Sequence, residues 1–222
     1  MIYFLPILSV VIGFATALFL KPKNALGLKL LLAFSGSYLL SVTVFEFLPD
    51  VYATENPYIG IFIMGGILLQ ISLEFLSRGA EHGHLHHDEN STKFPWLLLI
   101  SLCIHSLLEG FPLNDREHLL HGVVLHKIPV AIILATFLLN SKIGKPKAAF
   151  FLILFGLMTP LGSWLSRNFE VIKQFEVYIN SVVIGIFLHI STTILFEASK
   201  NHKFNLGKLL VIIAGIIVAY LL

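Results

Sequence analysis

The chain has 222 residues, 56% hydrophobic and only 13% charged, with a formal net charge of +2 and a mean hydropathy of +0.86. A soluble domain of this size carries about 25% charged residues, so a soluble globular protein is excluded. So small a net charge offers nothing for a nucleic-acid partner, and the single cysteine, Cys103, excludes an intramolecular disulfide.

In chain order, apolar runs long enough to cross a ~30 Å hydrocarbon core as helices recur from end to end. The first covers residues 2–20; it lacks a basic leader and is followed by Lys21, Lys23 and Lys29, the pattern of a retained helix rather than a cleaved signal. The second, 25–49, has an acidic end at Glu46 and Asp50, and the third, 58–76, carries Gln70 and Glu74 one turn apart. A polar segment follows at 77–93 with His82, His84, His86 and His87. The fourth and fifth runs, 95–113 and 119–139, flank the short link 114–118, which predicts antiparallel neighbours. The sixth, 148–166, is expected to break at Pro160 and Gly162. The seventh, 177–198, holds Asn180, His189 and Glu197, and the eighth is 206–222. The expected fold is therefore an all-α polytopic membrane protein, a single domain of eight spans.

The basic residues divide unevenly between the ends of these spans. Lys21, Lys23, Lys29, Arg78, Lys93, Lys142, Lys145, Lys147, Lys200, Lys203 and Lys208 fall on one side, and only Arg116, Arg167 and Lys173 on the other. Positive charge is retained in the cytoplasm, which predicts both termini outside the cell membrane and the His-rich segment inside.

Chemistry concentrates between residues 104 and 130. His105 and Glu109 stand four apart and so share a helix face; His126, Lys127 and Pro129 follow on the next helix. Ionisable groups at membrane depth are costly and by default mark a pathway or a site. Imidazole and carboxylate together suit Zn²⁺, Fe²⁺ or Mn²⁺, and the lack of thiolate-rich ligands argues against Cu⁺. Pro129 has no N–H to give Leu125, so it kinks the helix beside the site and frees an acceptor. The competing reading is that these groups hydrogen-bond helix to helix as packing contacts.

These residues carry a resemblance. H-S-L-L-E-G at 105–110 resembles the H-N-x-P-E-G signature of the ZIP (Zrt/Irt-like) metal transporters, and H-K-I-P-V-A at 126–131 resembles their H-E-x-P-E-x. F-E-F-L-P-D at 45–50 and P-L-G at 160–162 are similar to two further motifs of that family. The resemblance implies eight helices in an inverted 3+2+3 arrangement, and transport of a divalent ion, Zn²⁺ foremost, toward the cytoplasm. It implies metal ligands at His105, Glu109 and His126; the expected partners are divalent ions and the bilayer, with a homodimer the candidate assembly.

Three positions depart from the family pattern, in which the two helices build a two-metal centre bridged by carboxylates. Ser106 stands in place of Asn, Lys127 in place of an acidic ligand, and Val130 in place of a second Glu. One reading puts the Lys127 ammonium where a second ion would sit, paired with Glu109, which makes the centre mononuclear. The other has Lys127 snorkel to the outer surface. Ser106, Lys127, Gln70, His189, Glu46 and Asp50 remain candidates for supporting or pathway roles; Glu46, Asp50, Glu74 and Glu197, near span ends, also suit a solvated interface. The segment E-H-G-H-L-H-H-D-E at 81–89 is a candidate for metal capture at His82, His84, His86 and His87, or else a solvated loop. Two other functions stay open: an intramembrane metallohydrolase, which lacks an H-E-x-x-H pair, and a non-transporting metal sensor of the same family.

Overall fold

A computed structural model describes residues 1–20, 25–77, 94–197 and 206–222, apart from the side chains of Ala25 and Glu197. His82, His84, His86 and His87 lie outside the described residues. Every regular element among those residues is helical: α1 (Phe4–Phe19), α2 (Ala25–Val42), α3 (Leu48–Tyr52), α4 (Ile59–Ser77), α5 (Trp96–Gly110), α6 (Glu117–Asn140), α7 (Lys145–Asn168), α8 (Glu170–Gln174), α9 (Glu176–Glu197) and α10 (Leu206–Leu221). Six helical stretches are long and apolar enough to cross a membrane: Leu26–Tyr52, Ile59–Ser77, Trp96–Leu113, Glu117–Asn140, Lys145–Asn168 and Glu176–Phe196. Phe4–Phe19 and Leu206–Leu221 are apolar but shorter. Large apolar side chains such as Leu68, Phe75, Ile153 and Ile217 face outward while Glu109, Lys127 and Lys208 are enclosed, which is the arrangement of a membrane protein.

Prolines shape three helices differently. Between α2 and α3 the helix widens into a π turn, Thr43–Phe47, closed by the Leu48 N–H on the Thr43 carbonyl five residues back. Pro49 cannot bond the carbonyl of Phe45, and the wider turn absorbs that loss. After α5, Pro112 lies in a 3-10 turn, Phe111–Leu113, and Asp115 takes a left-handed conformation (φ 61°) that reverses the chain within the link. The third case corrects an expectation: α7 runs unbroken from Lys145 to Asn168 with Pro160 inside it.

α7 packs closely on α5 around this proline. Gly110 of α5 and Gly162 of α7 sit against each other's helix backbone: a Cβ on Gly162 would strike the Leu107 carbonyl, and one on Gly110 the Thr159 carbonyl. The Ser163 hydroxyl donates to the Gly110 carbonyl at 2.7 Å, and Asn114 Nδ2 donates to the Ser163 carbonyl at 3.1 Å and to Ser166 Oγ at 2.7 Å. Small residues thus bring the two backbones together, and hydrogen bonds lock the link to α7.

α5 packs chiefly on α7 and α4, and α6 on α1 and α2. Among the described residues α5 and α6 share no extended seam, contrary to what their short link suggests. α6 instead joins two apolar clusters. Leu119, Leu120 and Val123 belong to one, with α2, α4 and α9; Val130, Ala131 and Leu134 belong to the other, with α1, α5 and α7. His126 and Lys127 stand at the changeover.

Replacing Gly162 with Ala should force α5 and α7 apart. We expect a loss of about 1–3 kcal/mol, the usual cost of overpacking, read as a lower melting temperature in detergent, whereas Gly65→Ala, inside α4 with nothing within 4 Å of the added methyl, should not lower it.

Candidate metal site

His105 and Glu109, one turn apart on α5, both face inward, 3% and 1% exposed, with His105 Nε2 3.4 Å from Glu109 Oε2. From α6, His126 presents its ring edge-on to that of His105, centroids 6.5 Å apart. The structure thus gathers the three expected ligands. It does not close them on a point: among the described residues no group of three or more His, Cys, Asp or Glu side chains has metal-holding spacing. Side-chain rotations would be needed to reach the about 2.0–2.2 Å that zinc requires.

The other oxygen of Glu109 is engaged differently. Lys127, 1% exposed, forms a direct ion pair with Glu109 Oε1. Its ammonium also donates to Ser106 Oγ at 2.7 Å and lies 4.5 Å from the centre of the Phe155 ring. Thr159 of α7 donates to Glu109 Oε1 at 2.7 Å, and the Ser106 and Thr159 hydroxyls are 3.0 Å apart. Lys127, Ser106, Thr159 and Glu109 therefore close a ring of hydrogen bonds across three helices. The snorkelling alternative is overturned. A lysine reaching the surface would expose its head, whereas this one is directed inward to a carboxylate.

Thr159 and Phe155 are contributions that sequence reading missed. The one signal for them is their position just before P-L-G at 160–162. A threonine in an apolar helix reads as a residue bonding its own backbone, and only the close approach of α5 turns its hydroxyl into a partner for Glu109.

The remaining candidates separate into two groups. Glu74 of α4 and His189 of α9 pair at 2.7 Å, Oε2 to Nε2, with both side chains largely enclosed; Gln70, one turn before Glu74, is buried. At the other end of the bundle Glu46 Oε1 lies 2.7 Å from His118 Nδ1, and Asp50 lies 3.8 Å from Arg116, beside a cavity of about 320 Å³. Glu46 and Asp50 are solvent-accessible.

Six helices long and apolar enough to cross a membrane, with two histidines, a carboxylate and an ammonium enclosed between α5, α6 and α7, define a polytopic membrane protein with a buried polar centre. The chain matches the ZIP zinc transporter family over residues 77–222, well over half its length, and belongs to that family. No curated protein matches it. The family transports divalent metal ions, so the protein is a metal-transport protein and not an enzyme, which sets the metallohydrolase reading aside.

Breaking the ion pair from one side should be far more damaging than removing it whole. Lys127→Met leaves Glu109 buried without its cation, a loss of about 3–5 kcal/mol. Lys127→Met combined with Glu109→Gln should recover most of the melting temperature in a double-mutant cycle; additive losses would show that the two residues do not act as a pair.

Proposed function

We propose that this protein moves one Zn²⁺ or similar divalent ion per cycle toward the cytoplasm, using His105, Glu109 and His126 as its intramembrane ligands. The observation that carries this reading is the buried Lys127–Glu109 pair beside the two imidazoles. Lys127 cancels one carboxylate charge and takes up Glu109 Oε1, which leaves Oε2, on the His105 side, for the substrate. Two neutral imidazoles and one carboxylate oxygen favour zinc and its neighbours over the harder Mg²⁺ and Ca²⁺. Val130, buried among apolar side chains, offers no further ligand.

Helix packing supports an eight-span, inverted 3+2+3 arrangement. Exchanging α1 with α7, α2 with α9, α4 with α10 and α5 with α6 turns the α1–α6 seam into α7–α5 and the α4–α9 seam into α10–α2. The α2–α9 and α1–α7 contacts map onto themselves, whereas the α4–α5 and α2–α6 contacts have no matching seam among the described residues. An odd-numbered unit repeated in sequence must be inverted across the membrane. With the basic residues held inside, this topology puts both termini outside and the His-rich loop in the cytoplasm. The Glu46–His118 and Asp50–Arg116 cluster would then stand at the outer mouth, and Gln70, Glu74 and His189 on the cytoplasmic route.

A second reading, a metal sensor that does not transport, draws on the same observation, since neutralising Glu109 weakens its hold on an ion. Flux separates the two. His105→Ala, Glu109→Ala and His126→Ala proteins that still purify as folded species should lose Zn²⁺ uptake into proteoliposomes; normal uptake by any of them removes that residue from the pathway, and no uptake by the parent favours the sensor. Elemental analysis of protein lacking residues 77–93 should find one bound ion per chain, and two for Lys127→Asp with Val130→Glu. Replacing His82, His84, His86 and His87 with Ser should reduce metal capture while uptake continues.

A further inference from the structure

The Lys127 ammonium has three separate partners: Glu109 Oε1, Ser106 Oγ and the face of Phe155. Thr159 steadies two of them, donating to the same carboxylate oxygen and lying against Ser106. Ser106, Glu109, Lys127, Phe155 and Thr159 are all essentially without solvent contact. A cation surrounded in this way is bound, not merely neutralised. Two oxygens and a ring face satisfy the hydrogens of an ammonium, one each, whereas a hard divalent ion asks for about six or more oxygen neighbours.

We infer that Ser106, Glu109, Phe155 and Thr159 form a binding site for a primary ammonium, which Lys127 occupies as a tethered ligand and which will accept a free alkylammonium once Lys127 is removed. The inference rests on the reading of Lys127 as the site's built-in cation. Its size follows from the covalent structure: Lys127→Ala removes Cγ, Cδ, Cε and Nζ, which are the heavy atoms of propylammonium. Enclosure is no barrier to such a ligand, because the uncharged amine partitions into apolar surroundings and can be protonated inside. Thr159 is a positioning residue here; its hydroxyl orients the carboxylate and does not itself touch the ammonium.

The test uses full-length protein in detergent without transition metal, so that its failure is separate from failure of the flux prediction. Propylammonium should raise the melting temperature of Lys127→Ala saturably and methylammonium less so, while tetramethylammonium, which has no N–H, should not. The parent should not respond, because its site is filled. Adding Thr159→Val to Lys127→Ala should weaken propylammonium by about tenfold, the loss of one hydrogen bond to a charged group, and Thr159→Ser should restore it. No saturable rise in folded Lys127→Ala, or an equal rise with tetramethylammonium or in the parent, overturns the proposal. Should Lys127→Ala fold only when propylammonium is present during purification, that dependence supports the site. Should it not fold at all, the parent background decides: Thr159→Val must melt lower than both Thr159→Ser and the parent, and a Thr159→Val protein as stable as the parent refutes the cage.

Discussion

A carboxylate and an ammonium buried together in the middle of a helical bundle are the constraint around which the rest of this structure is arranged. Taking two charges out of water is costly, and the cost is met only where geometry and further hydrogen bonds are good on both sides. Glu109 and Lys127 meet that condition with hydroxyls from two helices and an aromatic face from α7. The pair consequently fixes how α5, α6 and α7 stand relative to one another, although α5 and α6 have little direct packing.

The close α5–α7 seam follows from the same requirement. Thr159 reaches Glu109 only because Gly110 and Gly162 let the two backbones approach, and the hydrogen bonds of Asn114 and Ser163 hold that approach in place. Pro160 does not break α7, which runs on to Asn168. Loss of one interior hydrogen bond is tolerated where packing and side-chain donors compensate. α7 is thus part of the site as fully as the two helices that supply the expected ligands.

The two oxygens of the Glu109 carboxyl have different surroundings. One oxygen is assigned to a permanent cation, the other lies next to His105. The ammonium neutralises the carboxylate and so lowers the pull of this centre on any other cation. The flanking polar pairs, Glu74 with His189 and Glu46 with His118, lie toward opposite ends of the bundle and are more loosely enclosed than the central group.

Much of this was legible in the sequence, because a membrane simplifies the problem. Hydrocarbon demands long apolar helices, so the helical class and the positions of the runs follow from composition alone, and the i, i+4 spacing places His105 and Glu109 on one face. Lys127 was visible as an anomaly, too deep to ignore. Its direction was not visible, because a flexible lysine can turn inward or outward and only its surroundings decide. Nor could sequence reveal Phe155 and Thr159, whose side chains gain their roles from α5 lying against α7, or the separation of α5 and α6 despite a link of a few residues. Sequence determined which groups had to be buried; tertiary packing decided which of them met, because contacts between helices depend on the crossing of backbones that local periodicity does not encode.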